Sequence, residues 1–326
     1  MRIVPRITKP RQAAACAAHL TSAGYHWAAS GPAHRPAVGV ALTLLLAATP
    51  VLGSSATLAG RTIRFAPLPL EDPRIVHEQF AGLVDDIQEQ TGFEIRWVHL
   101  ASNEASVHPF RDGGTDLTGL GPLPLVILTR DHPATRPLCC FRDTDGATSY
   151  TCSLIALAER GLSVERLKGV RFGLTQPDST CGDLAASQML ASVGLSLTGD
   201  GNSVRSAGNH SQAALGVVQG RYDVAGVKTS IAARYRHLGL EVIATSPNDP
   251  ASPLAANAAT LDAPTIARLQ EVVLRLDPAL HPEPAARMQT WGDPIRKGTL
   301  PHDPRDFSAA AQALAELPWP IPGAGP

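Results

Sequence analysis

From about residue 54 onward, short apolar runs rich in β-branched or aromatic residues alternate with longer segments whose apolar positions recur every three to four residues. Residues 62–66, TIRFA, read as a first strand. Residues 75–90 read as an amphipathic helix with Ile75, Phe80, Leu83, Val84 and Ile87 on one face and Gly92 beyond its end. A second strand follows at 94–99, then a short helix at 103–111 closed by Gly113 and Gly114. A third strand, 116–120, runs into Gly121-Pro122-Leu123-Pro124 and another helix. This β-α-β-α-β order predicts parallel strands joined by right-handed crossovers.

Residues 137–142 and 150–157 flank a turn at Thr144-Asp145-Gly146, which we read as the first crossing into a second lobe. There, the strand 170–174 is stopped by Pro177 and followed by Asp178, Ser179 and Thr180, all good helix N-cap types. Gly182 keeps the first helical turn free of bulk. Leu184, Ala185, Met189, Leu190 and Val193 then repeat close to the helical period. A strand feeding a helix through small hydroxyl residues can hold an anion on exposed N–H groups, and it can equally be an ordinary capped helix. Asn209-His210, a helix at 211–219, a strand at 222–226 and a helix after Thr229 complete this lobe. The strand 240–245, LEVIAT, is expected to return the chain to the first lobe, with helices at 263–276 and 308–317 and a loose Pro- and Gly-rich tail at 318–326. A chain that builds one α/β lobe, leaves for a second and returns makes a cleft between them, with a two-strand hinge that permits closure.

The net charge is −1 over 326 residues, so no global basic field argues for nucleic acid or a membrane surface. The first 53 residues change the picture more. Arg2, Arg6, Lys9, Arg11 and Arg35 precede an apolar run at 37–48, and Val51-Leu52-Gly53 offers a cleavage site after Pro50. The run is shorter than the ~20 residues that span a bilayer. We expect a signal peptide over 1–53, cleaved near Gly53, and an exported chain. Cys16 would leave with it, so Cys139, Cys140, Cys152 and Cys181 remain in an oxidising compartment, with three possible pairings. No G-x-S-x-G, H-E-x-x-H or P-loop is present, the histidines lack metal-ligand spacing, and Cys139-Cys140 is not C-x-x-C. Neither an enzyme nor a metal site nor a cofactor is expected.

Four stretches together resemble a known family. They are 115–127 (TDLTGLGPLPLVI), 145–157 with 173–184 (DGATSYTCSLIAL and GLTQPDSTCGDL), 208–227 (GNHSQAALGVVQGRYDVAGV) and 297–307 (KGTLPHDPRDF). In that order they look like the phosphate/phosphite/phosphonate-type (PhnD-like) periplasmic substrate-binding proteins of ABC importers. The resemblance implies a two-lobed type 2 periplasmic binding protein, with lobe 1 at 54–147, lobe 2 at 148–236, and a return to lobe 1 with the tail at 237–326. It implies a monomer that binds a small oxyanion in the periplasm and hands it to an ABC permease.

By the same resemblance the ligand would be held by Ser179, Thr180, Cys181 and Gly182, with His210, Tyr150, Gly121 and Lys228 closing in. Hydroxyls and an imidazole suit a tetrahedral anion of variable protonation state. Leu70, Leu125 and Gly119 stand where relatives carry aromatic residues, which argues against a stacked ring. Lys228 replaces an acidic or amide residue; a lysine there would repel an aminoalkyl group, so aminoethylphosphonate is not expected to bind. Cys152 and Cys181 stand where relatives have serine. Three readings stay open: a Cys152–Cys181 disulfide, a bond from Cys139 or Cys140 to Cys152 across the hairpin turn, or free cleft thiols for a ligand such as arsenite. The last would fit a sensor subunit signalling to a histidine kinase.

Overall fold

The computed structural model describes residues 60–99 and 104–316. The expected signal peptide, the start of the short helix at Asn103 and the C-terminal tail lie outside these residues.

The chain runs through β1 (Thr62–Ala66), α1 (Pro73–Thr91), β2 (Glu94–Trp97), α2 (Glu104–Arg111), β3 (Leu117–Gly119), α3 (Pro122–Asp131) and β4 (Thr135–Phe141). Next come β5 (Ser149–Tyr150), β6 (Cys152–Leu157), β7 (Arg171–Leu174), a π-helical turn over Thr180–Ala185, α4 (Ala186–Ala191), β8 (Ser203–Ser206), α5 (His210–Val218), β9 (Val224–Lys228), α6 (Thr229–Tyr235) and β10 (Leu240–Thr245). It closes with β11 (Asp249–Pro250), β12 (Ser252–Asn257), α7 (Ala263–Leu274), α8 (Ala285–Met288), β13 (Thr299–Leu300) and α9 (Ser308–Glu316).

These strands make two large sheets, ordered β13-β4-β12-β3-β1-β2 and β10-β6-β9-β7-β8. Each joins a parallel β-α-β portion to antiparallel strands: β1 pairs β2 and β3 in parallel, β7 pairs β8 and β9 in parallel, and β12 and β6 run antiparallel beside β3 and β9. The parallel crossovers expected from the sequence are therefore present in both lobes. A third, two-stranded sheet pairs β5 with β11 where the chain passes between the large sheets, as a two-strand hinge requires.

Two placements differ from expectation. The strand Leu240–Thr245 does not return to the first lobe. It pairs antiparallel with β6 at the edge of the second sheet, and the return is made by β11 and β12. Its alternating pattern fits an edge position, with Val242 48% exposed, whereas β12 is buried throughout. Ile75 is 45% exposed; the buried face of α1 is Val76, Phe80, Leu83, Val84 and Ile87, one position out of phase with it.

α1 is capped at both ends. The Asp72 side chain accepts from Arg74 N–H, Pro73 opens the first turn, and Gly92 ends the helix at φ 71°. Its buried face packs with Ile63, Phe65, Leu117 and Leu254 into the first core. A second core gathers Leu154, Phe172, Leu174, Leu190 and Val224. Burial of each such side chain contributes ~1.5–3 kcal/mol. Among the described residues no helix is long and apolar enough to cross a membrane.

Candidate functional site

In both sheets the parallel strands end toward the same gap, and in open α/β sheets ligands gather beyond those carboxyl ends. The cavity there is lined by Leu68 and Leu70 after β1, Gly121 after β3, and Gln176, Ser179, Thr180 and Cys181 after β7. His210 after β8, Lys228 at the end of β9, Tyr150 on the linking strand β5 and Ser252 at the start of β12 complete it. It is small, leaving about 20 Å³ for the centre of a water-sized sphere. Seven of the eight expected binding residues line this one space. Gly182 does not; its N–H instead donates to Ser179 Oγ at 3.1 Å, the N-cap bond of the turn.

That turn explains the local sequence. Asp183 N–H and Leu184 N–H both donate to the Ser179 carbonyl, which widens the first turn into a π-helix where an α-helix was expected. A Cβ on Gly182 would come within 2.5 Å of Thr175 Oγ1 and 2.8 Å of its backbone nitrogen, so only glycine fits. Ser179 Oγ also accepts from Thr175 Oγ1 at 2.6 Å. With both lone pairs engaged, its own hydrogen is left to donate outward. Thr180 Oγ1 accepts from Leu123 N–H at 3.0 Å. The Thr180 and Tyr150 hydroxyls both belong to residues that line the cavity.

His210 is buried at the start of α5, and its Nδ1 accepts Lys228 N–H at 3.0 Å. The network thus assigns the remaining proton to Nε2. Burial, with the Lys228 charge nearby, lowers its pKa to about 3, so the imidazole is a neutral donor. Burial and the charge of Asp249 push the Tyr150 phenol well up, keeping it protonated.

Lys228 departs from the free charge envisaged from sequence. Its Nζ lies 2.8 Å from Asp143 Oδ1 and 4.4 Å from the Tyr150 ring centroid. It is a paired, stacked cation whose charge is balanced at the cavity wall. Leu70, named from sequence where relatives carry an aromatic residue, lines the cavity as well, whereas sequence reasoning missed three lining residues: Leu68, Gln176 and Ser252. Gln176, in the quoted TQPDSTCG stretch, was the one with a signal, because an amide immediately before the capping turn is a polar residue aimed at the same space.

Cys152 and Cys181 are joined by a disulfide that ties β6 to the first turn after β7. Cys139 and Cys140 are buried thiols. A bond from either to Cys152 is ruled out by topology: β4 pairs β12 and β13, while β6 pairs β9 and β10 in the other sheet. Burial pushes the Cys139 thiol well up and the Cys140 thiol to about 12, far from a reactive thiolate. With Cys152 and Cys181 bonded, the cavity wall carries a disulfide where the arsenite reading needs thiols. Among the described residues no group of His, Cys, Asp and Glu side chains is placed to hold a metal.

The loop after β1 crosses the gap. Gln176 Nε2 donates to the Pro69 carbonyl at 3.3 Å, His210 N–H to the Leu70 carbonyl at 3.3 Å, and Ser211 Oγ to Glu71 Oε1 at 3.2 Å. Arg234 also pairs with the buried Glu71 carboxylate. A Cβ on Gly121 would lie 3.0 Å from Thr180 Oγ1, so the opposing lobe approaches the hydroxyl turn closely at this point.

Residues 65–301 match the family model described as ABC transporter, phosphonate, periplasmic substrate-binding protein. A curated relative, the phosphate-import protein PhnD of Mycolicibacterium smegmatis, is 26% identical over 207 residues, covering 59% of this chain and 64% of its own length, just under two thirds. Among solved structures, PhnD1 of Prochlorococcus marinus in complex with methylphosphonate superposes with a TM-score of 0.66 at 16% identity, covering 79% of this chain and 99% of that one. A binding component of a phosphonate ABC transporter from Pseudomonas aeruginosa gives 0.66 at 19% identity, with 78% and 86% covered. The alkanesulfonate-binding protein SsuA of Xanthomonas axonopodis pv. citri, bound to MOPS, gives 0.57 at 16% identity, with 79% and 92% covered. At these identities the structural likeness speaks for the two-lobed fold.

Proposed function

Because this chain belongs to the periplasmic substrate-binding proteins of phosphonate ABC transporters, we propose that it captures a small phosphorus oxyanion, a phosphonate, phosphite or phosphate, in the gap between its lobes. It then presents the closed complex to an ABC permease. The observation that carries this reading is the convergence of neutral donors on one small cavity: the Ser179, Thr180 and Tyr150 hydroxyls and the His210 Nε2–H. First-turn N–H groups of a helix lack intrahelical acceptors, so those of Thr180 and Cys181 add to the set. Hydrogen bonds to a charged group contribute ~1.5–3 kcal/mol each, and a micromolar complex needs about 8 kcal/mol after association costs. Five such bonds supply roughly 7.5–15 kcal/mol, which reaches this at modest association cost.

We take the boundaries of lobe 2 at about residue 148 and, because β10 belongs to its sheet, just after Thr245 rather than at 236. In this reading β5 and β11 flex as the lobes part, and the contacts of Pro69, Leu70 and Glu71 are those of the closed form. Aminoethylphosphonate is a poor ligand because Asp143, the carboxylate beside the cavity wall, is already paired with Lys228. Calorimetry of the chain with phosphate, phosphite, methylphosphonate and aminoethylphosphonate tests the proposal. We expect micromolar or tighter binding for at least one of the first three and none for the last. No heat with any of them would sink the reading, and tight aminoethylphosphonate binding would sink the account of Lys228.

A further inference from the structure

The cavity is lined mostly by donors, but one buried acceptor is left over. Gln176 is 2% exposed and lines the space, and its Oε1 finds no hydrogen-bond partner among the described residues. The amide orientation is set by its neighbour. The Pro69 carbonyl can only accept, so the atom 3.3 Å from it must be the NH2 group, and Oε1 is left on the other side. A buried amide oxygen without a donor is costly, and it gains from a ligand that brings one.

We propose that Gln176 reads a proton on the ligand: its Oε1 accepts a hydrogen bond from the P–OH of a singly charged phosphorus oxyanion. The site therefore selects protonated phosphorus oxyanions over sulfonates of the same shape. The inference rests on the oxyanion reading above and narrows it. A sulfonate near neutral pH carries acceptors alone, so it leaves Oε1 unsatisfied and sets one of its own oxygens against it. A site built to bond a ligand O–H rejects an analogue that lacks it by more than it would reject a missing methyl group. Charge points the same way, since Lys228, the one cation among the described residues that line the cavity, is balanced by Asp143 and offers nothing extra to a second negative charge.

Methylphosphonate and methanesulfonate form the discriminating pair, compared by calorimetry from pH 6 to 8.5. Charged and titratable protein groups also surround Gln176. They are Glu71 from the loop after β1, Asp178 and Asp183 in the capping turn, His210 at the start of α5, the Lys228–Asp143 pair and, near Tyr150, Asp249. Burial raises Asp183 to about 8 and Asp249 to about 7, inside the window. Methanesulfonate does not titrate there, so the ratio of the two affinities removes what the protein contributes to both.

At pH 6 methylphosphonate should bind at least about tenfold tighter. Above the ligand's second ionisation, which for phosphate esters lies near pH 6 and for alkylphosphonates somewhat higher, the ratio should fall by about tenfold per pH unit. Gln176→Leu should bring the two affinities within about threefold of each other at pH 6, chiefly by weakening methylphosphonate. Equal affinities in the unmodified chain, or a ratio that grows with pH, would overturn the proposal while leaving the oxyanion reading intact. If neither anion nor phosphate nor phosphite binds, both fall together. Should the variant fail to fold, the pH course of the ratio in the unmodified chain decides alone.

Discussion

The wall of the cavity that belongs to the first lobe presents Leu68, Leu70 and Gly121, with Ser252 at its margin, whereas the second lobe presents Gln176, Ser179, Thr180, Cys181, His210 and Lys228. One wall is nearly all backbone and aliphatic carbon; the other carries almost every side-chain donor. The same parallel β-α-β frame supports both, so the contrast lies in the loops, with the frame common to them. It suggests a division of labour in which the second lobe recognises the anion and the first covers it. Covering also matters energetically, because excluding water strengthens each hydrogen bond to the charge.

Breaking the recognising wall should give the largest effect. Ser179→Ala removes a donor and leaves Thr175 Oγ1 and Gly182 N–H without their acceptor. We expect about a hundredfold loss of oxyanion affinity by calorimetry, in line with ~1.5–3 kcal/mol for a bond to a charged group. Leu70→Ala in the covering wall should cost only a few-fold; equal losses would abolish the asymmetry. The disulfide sharpens the comparison through stability. It links positions 29 residues apart within the recognising lobe, so Cys152→Ser should lower unfolding stability by ~2–4 kcal/mol. Cys139→Ser, in the first core, should cost less than half of that by denaturant titration.

The latch between the walls comes next. Glu71→Gln weakens the pairing with Arg234 while keeping an acceptor for Ser211. Affinity should drop about three- to tenfold while the preference among anions is unchanged, since Glu71 joins the lobes without entering the cavity. A changed order of preference would place Glu71 in recognition.

The remaining comparison concerns pH. Asp183 is 1% exposed, and burial raises its pKa from the ordinary 3.8 to about 8. A raised carboxyl binds its proton more tightly folded than unfolded, so its contribution is complete below about pH 4 and is lost as pH rises toward 8. Asp183→Asn should therefore raise the melting temperature by a few degrees at pH 8 and leave it unchanged at pH 4. His210 acts in the opposite sense: its pKa falls from the ordinary 6.5 to about 3. Stability is fully present above 6.5 and declines as pH drops from there toward 3, and His210→Gln should flatten that acid limb.

Much of this was legible in the chain alone. Strand–helix alternation, the capped start of α1 at Asp72-Pro73 and the hydroxyl turn at Ser179-Thr180 are local patterns, written in side-chain period, capping chemistry and turn residues within a few positions of one another. The ordered stretches from 115 to 307 carried the family and, with it, seven residues that line one cavity. Tertiary structure decided the remainder, because each remaining point depends on partners far apart in sequence. LEVIAT went to the edge of the second sheet because β6 offered its open side; SPLAAN, without alternation and with a proline, became the buried return strand. Lys228 was balanced by Asp143, 85 positions earlier by their numbers. Cys181 met Cys152 rather than leaving it to Cys139 or Cys140, since β4 and β6, with only the short β5 between them in sequence, were separated into different sheets. Gln176 became a buried acceptor because the Pro69 carbonyl, from the opposite lobe, fixed its NH2 group by accepting one of its hydrogens. Periodicity and caps are properties of neighbours along the chain, whereas charge balance, pairing and an unsatisfied atom are properties of neighbours in space.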